Sequence, residues 1–341
     1  MQMRKLGWTD LQVSELCLGT MTYGNQTPPE DAHAQIEMAQ AAGINFMDAA
    51  EMYPVNPVRK ETIGLTEQIL GDWFEKTGKR SDWILATKQS GAGSMARDGA
   101  PISAKTIPEA IEGSLKRLKT DVIDLYQFHW PNRGSYHFRQ NWTYDPAGQD
   151  KAANLQHMQD VLGALQREVE RGTIRYFGLS NDTAWGTTQW ARLAEETGGP
   201  RVVSVQNEYS LMWRLADTDL AEALINEEVG FLPYPLPNPP PGRGRGRVAL
   251  GAGGGLFPCA ASRGSTRAGL KTGPPACFPG APSPSPYPSP PRGEGICCAW
   301  GWWGAFKARV VWALSRAGAG PWCGAATFGV RALCRPDPDH V

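Results

Sequence analysis

Residues 45 to 53 read Asn45-Phe46-Met47-Asp48-Ala49-Ala50-Glu51-Met52-Tyr53, a short apolar run that ends in an acid, with a phenol five residues further on. A strand over 44–47 shows no polar alternation, so both of its faces are expected to be buried, as in a parallel sheet wrapped by helices. Asp48 then stands where a strand ends, and Tyr53 lies just past it. An acid and a tyrosine at this spacing also occur in ordinary surface turns, so the pair takes its meaning from the rest of the chain.

Outward from this stretch the same alternation repeats. Strands are expected over 15–20, 44–47, 83–87, 122–128, 174–179, 202–206 and 229–234, and helices over 29–42, 65–76, 105–119, 154–171, 184–196 and 217–228. Gly19 stops the first strand and Gly43 the first helix. Helical crossovers imply parallel pairing. With this many units in one chain the expected fold is α/β, a TIM (β/α)8 barrel truncated after about the seventh strand. No Gly-x-Gly-x-x-Gly follows a strand, which argues against an open dinucleotide-binding sheet. Two short runs around Gly7-Trp8-Thr9-Asp10 predict a hairpin over 3–13 that plugs or covers the barrel.

The 34 basic and 34 acidic residues of the 341-residue chain balance, but unevenly: residues 237–341 carry 12 basic and 3 acidic, and the first 236 carry 22 and 31. Two differently composed pieces meet near residue 236. The first residues have neither a signal-peptide apolar run nor a transit-peptide composition. No run reaches the roughly 20 uncharged apolar residues of a membrane span. A cytoplasmic protein with no membrane or nucleic-acid partner is expected. Six of the seven cysteines lie beyond residue 258, and Cys17 alone gives the front piece neither a disulfide nor a metal site.

In a parallel barrel the C-terminal ends of all strands open on one rim, where barrel active sites sit. Gly19-Thr20, Asp48, Lys88, His129, Ser180-Asn181, Gln206 and Tyr234 are therefore expected to converge, with Tyr53 beside them. Singly each has an ordinary reading: Lys88 a solvated loop charge, His129 a satisfied histidine, Gln206 a cap. Four ionisable or phenolic groups at the ends of consecutive strands together predict a catalytic rim. Two long loops, 89–104 and 130–153, leave strands at the same rim, and loops of that length are usually functional. The second carries Trp130, Tyr136, Phe138, Trp142 and Tyr144, of which Trp130 is the first candidate for a substrate pocket.

The segments Cys17-Leu-Gly-Thr-Met-Thr-Tyr-Gly24, Asp48-Ala-Ala-Glu-Met-Tyr53, Ala86-Thr-Lys88, Asp124-Leu-Tyr-Gln-Phe-His-Trp130, Gly172-Thr-Ile-Arg-Tyr-Phe-Gly-Leu-Ser-Asn181 and Gln206-Asn-Glu-Tyr-Ser210 resemble those of the aldo-keto reductases. Glu51-Met-Tyr-Pro54 with Glu61-Thr-Ile-Gly-Leu-Thr-Glu67 is similar to the bacterial Tas-like branch. The resemblance covers residues 1–236. It implies an NADPH-dependent (NADP+) oxidoreductase that reduces small aldehydes and ketones by hydride transfer, with Asp48, Tyr53, Lys88 and His129 as catalytic tetrad. Tyr53 would be the general acid; a free phenol titrates near pH 10, and a cationic Lys88 held by Asp48 is expected to bring it down. His129 would donate to the carbonyl oxygen. Ser180, Asn181 and Gln206 would hold the nicotinamide carboxamide, Tyr234 would stack on the ring, and Gly19 and Thr20 would line the same place. A cofactor-sensing or chaperone-like module on the same fold is the competing reading, because the resemblance extends to channel-associated members.

After Tyr234 the family pattern stops. Its Gly-rich loop, eighth strand and adenosine-phosphate residues are replaced by Pro237-Asn-Pro-Pro-Pro-Gly-Arg-Gly-Arg-Gly-Arg247 and a low-complexity Pro/Gly/Arg-rich tail with 17 Pro and 19 Gly in residues 237–341. Such composition is expected of a disordered segment, or of GC-rich DNA translated out of frame, leaving an inactive truncated product. Strands one and seven would keep unpaired edges.

Overall fold

A computed structural model of the chain describes residues 1–235 and 329–331. Seven strands lie side by side and parallel in chain order: β3 (Leu16–Gly19), β4 (Phe46–Asp48), β5 (Ile84–Gln89), β6 (Ile123–Phe128), β7 (Ile174–Ser180), β8 (Val202–Glu208) and β9 (Gly230–Tyr234). Between them run α1 (Pro29–Ala41), α2 (Leu65–Thr77), α3 (Thr106–Leu118), α4 (Lys151–Glu170), α5 (Ala184–Thr197) and α6 (Asp219–Asn226). This is the curled sheet of a truncated (β/α)8 barrel, as the alternation predicts. Most boundaries fall within two residues of expectation. α4 starts three residues early because Asp150 caps it, its Oδ1 accepting the Ala153 N–H at 3.0 Å. Among the described residues no helix is long and apolar enough to cross a membrane.

Strand alternation sorts the core into two layers. Met47, Leu85, Tyr126 and Phe177 face outward onto the helices, where Trp73, Ile111, Leu162 and Trp190 meet them. Phe46, Ala86, Leu125 and Leu232 face inward and meet Leu6, Val13 and Cys17. Two residues further along those four strands, Asp48, Lys88, Gln127 and Tyr234 take the same face one layer nearer the rim. A polar layer thus sits on an apolar one.

The opposite rim is closed by the predicted hairpin, β1 (Met3–Lys5) and β2 (Gln12–Ser14). Leu6 and Val13 are fully buried in the inner layer, and Trp8 donates its indole N–H to Val202 O at 2.9 Å. Gly7 makes the closure possible. It has φ +55°, and a Cβ there would lie 2.3 Å from Val203 O.

One expectation is corrected. Gly329–Arg331 forms β10, antiparallel to β3, with Gly329 opposite Leu18 and Arg331 opposite Leu16. The first-strand edge is therefore paired, because main-chain hydrogen bonding needs no side-chain period. Among the described strands β9 is paired with β8 alone. The rest of the reading of 237–341, with Leu236, lies outside the described residues.

Candidate active site

Asp48 ends β4, its main chain in register with Gly19 on one side and Ala86 on the other. Its Oδ2 accepts from Lys88 Nζ at 2.6 Å. The same ammonium donates to Ala49 O at 2.7 Å and to Tyr53 Oη at 3.3 Å. Tyr53 comes back to this point because the chain turns tightly after β4: its N–H donates to Ala50 O, and the Glu51 N–H to Lys88 O. His129, one residue past β6, sets its ring edge-on to Tyr53 with centroids 5.6 Å apart. Lys88 is 0 % exposed, Asp48 4 %, His129 7 % and Tyr53 8 %, so the four act on one another with little water between them. The structure brings the predicted tetrad together at one rim.

Burial and charge set the protonation of each group. Burial works against the Lys88 ammonium, but Asp48 and Tyr53 outweigh it and raise the amine above its ordinary value. Burial likewise drives His129 well below the usual imidazole range, assisted by Lys88, so the ring is neutral near pH 7. For Tyr53 burial outweighs the pull of Lys88, and the phenol is raised rather than lowered. The expected lowering is thus present as a contribution and is exceeded by desolvation.

The remaining predicted residues lie around this core. Gln206 donates Nε2 to Asp48 Oδ1 at 3.0 Å. Ser180 Oγ donates to Gln206 O at 2.8 Å and accepts from Asn181 Nδ2 at 3.1 Å. Asn181 also donates to His129 O, and its Oδ1 accepts from Tyr234 Oη at 2.5 Å. Hydroxyl and amide groups of both hydrogen-bonding senses therefore sit together beside the half-buried Tyr234, a donor set that fits a carboxamide next to an aromatic ring. Thr20 is fully buried and gives its hydroxyl to Asp48 O at 2.8 Å. Half-buried Trp130 tilts against His129, ring centroids 5.1 Å apart, and packs edge-on to Phe138. Gly91 allows this, since a Cβ there would meet the Trp130 ring at 2.4 Å.

Two residues escaped the sequence reading. Buried Glu51 accepts the Ser90 N–H at 2.6 Å and pairs with Arg97, pinning the 49–53 turn to the loop after β5. Gln127 donates to Asp48 Oδ1 at 3.1 Å; a polar residue facing inward two positions beyond Leu125 was the available signal.

The aromatic loop is fastened through Asp182, whose side chain pairs with Arg133 and whose carbonyl accepts from His137 Nε2 at 3.1 Å. Burial holds His137 down to about 4. The unfolded imidazole takes a proton near pH 6.5 while the folded one does not until about 4, so stability is full above 6.5 and declines as pH falls. This group alone should cost roughly 3 kcal/mol by pH 4. Melting temperatures at pH 7 and pH 4.5 should therefore differ less in His137→Gln than in the unsubstituted chain; an equal difference would remove His137 as the cause.

The model of the aldo/keto reductase family matches residues 15–236. Protein tas of Escherichia coli (strain K12) is 43% identical over 241 residues, 69% of this chain and 67% of that protein. The uncharacterized oxidoreductase YrpG of Bacillus subtilis is 34% identical over 65% of this chain and 62% of its own length. A probable voltage-gated potassium channel subunit beta of Oryza sativa subsp. japonica is 29% identical over 63% of this chain. The chain thus spans about two thirds or less of these relatives.

Proposed function

The chain belongs to the aldo/keto reductase family, an oxidoreductase of that type, and from that premise we propose that it reduces small aldehydes or ketones with NADPH, in the cytoplasm, using Tyr53 as proton donor. The observation that supports this most is the Lys88 ammonium set between Asp48 Oδ2 and Tyr53 Oη beside His129 at the open rim. Since Tyr53 Oη accepts from Lys88, its own proton is the one left to give. The raised phenol keeps that proton at neutral pH, and the ammonium stabilises the phenolate left behind. Neutral His129 would offer a ring N–H to the carbonyl oxygen as charge develops there.

The cofactor, when bound, supplies the hydride. Ser180, Asn181 and Gln206 would hold its carboxamide, with Tyr234 against the ring and Gly19 and Thr20 alongside. Trp130 would line the substrate side. The catalytic domain would end near residue 236, and the sequence beyond it departs from the family.

The second reading, a cofactor-sensing module, draws on the similarity to the rice channel subunit. A complete tetrad speaks for the enzyme, since sensing has no use for a proton donor. The test uses a chimera of residues 1–236 followed by the part of Escherichia coli protein tas beyond the match. Steady oxidation of NADPH with at least one of a panel of aldehydes is expected. Binding without oxidation of any would favour the sensor.

A further inference from the structure

We propose that Gln127 is a positioning residue of the same reaction: with Gln206 it fixes the Asp48 carboxylate so that Oδ2 faces Lys88, and Lys88 in turn faces Tyr53. This rests on the reading of Tyr53 as proton donor. Nothing in the motif resemblance assigns Gln127 a part.

The terminal torsion of an aspartate is broad and nearly two-fold, so one contact does not fix the carboxylate plane. Here Oδ1 accepts two amide donors, Gln127 Nε2 from β6 at 3.1 Å and Gln206 Nε2 from β8 at 3.0 Å. Oδ2 is left to Lys88 at 2.6 Å. Lys88 and Gln127 are register partners across β5 and β6, so their side chains stand next to each other on the inner face.

Gln127 is also an expensive choice for its place. It is fully buried, and its Oε1 has no hydrogen-bond partner among the described residues. A buried amide half satisfied costs stability that a leucine of similar size would not. Its one hydrogen bond goes to the carboxylate that holds Lys88, and an unfavourable residue kept in contact with catalytic groups is what a trade of stability for activity looks like.

The inference predicts opposite signs for stability and chemistry, which a packing role does not. In the full chain, Gln127→Leu should melt at the same temperature as the unsubstituted protein or a few degrees higher. Tyr53 ionisation, read as the 295 nm absorbance difference from the same protein carrying Tyr53→Phe, should move upward by about one unit, because Asp48 becomes a more negative neighbour and a looser anchor for Lys88. Gln127→Met, equally long and without the amide, should repeat both results should leucine fold poorly. In the chimera kcat should fall about 10- to 100-fold with KM unchanged. A lower melting temperature with unshifted Tyr53 ionisation would overturn the inference, whatever the turnover. Shifted ionisation in a chimera that never oxidises NADPH would leave Gln127 in its place and remove the reductase reading instead.

Discussion

Tyr53→Phe in the chimera should lower kcat for carbonyl reduction by roughly 10³-fold, within the span that a lost general acid produces, while the NADPH dissociation constant moves less than about threefold. The separation follows from what the hydroxyl touches. Among the described residues its one hydrogen bond is the 3.3 Å contact from Lys88 Nζ. Lys88 keeps Asp48 and Ala49 O when that contact goes, so no buried ammonium is stranded. The ring keeps its edge-on contact with His129 and its place 4.8 Å from the ammonium. Only the proton disappears. Fluorescence titration beside turnover gives both numbers, and a matched loss in binding and rate would make Tyr53 a structural residue.

The chain of 341 residues itself is expected to bind NADPH at least about 100-fold more weakly than the chimera. The resemblance puts the residues that hold the adenosine phosphate after an eighth strand, in the region where this sequence departs from the family. Each charge-assisted hydrogen bond to a phosphate is worth about 1.5–3 kcal/mol, and two of them amount to 100-fold or more. On the side away from β4, β3 is paired with the antiparallel Gly329–Arg331, whereas a barrel's own closing strand is parallel. Micromolar affinity in the chain itself would show that the nicotinamide end suffices or that the tail supplies a phosphate site of its own.

The strands and helices were legible because each carries its signal locally: apolar runs such as Trp83 to Ala86, stops such as Gly19 and Gly43, and a loop before every strand. The convergence of Asp48, Lys88 and His129 was legible too, since parallel strands deliver their ends to one rim whatever the side chains are. What stayed hidden depends on distance through space rather than along the chain. β10 has no strand pattern in the sequence, and it is placed by main-chain pairing with β3. Glu51 and Arg97 meet across 46 residues, Arg133 and Asp182 across 49. The raised Tyr53 phenol reflects how completely water is excluded, and no spacing of residues encodes that.

The Asp48 carboxylate receives side chains from β5, β6 and β8, and its main-chain carbonyl receives Thr20 after β3. Mechanically this is a tie-rod across the bore: β4 is bound to β8, which is not its neighbour in the sheet. Such a tie resists the spreading of a curled sheet from within and calls on no strand beyond β9. The rim side chains therefore keep their spacing through the cluster itself, and hydrogen exchange at Lys88 and Gln206 should be slow even where the ends of the sheet breathe.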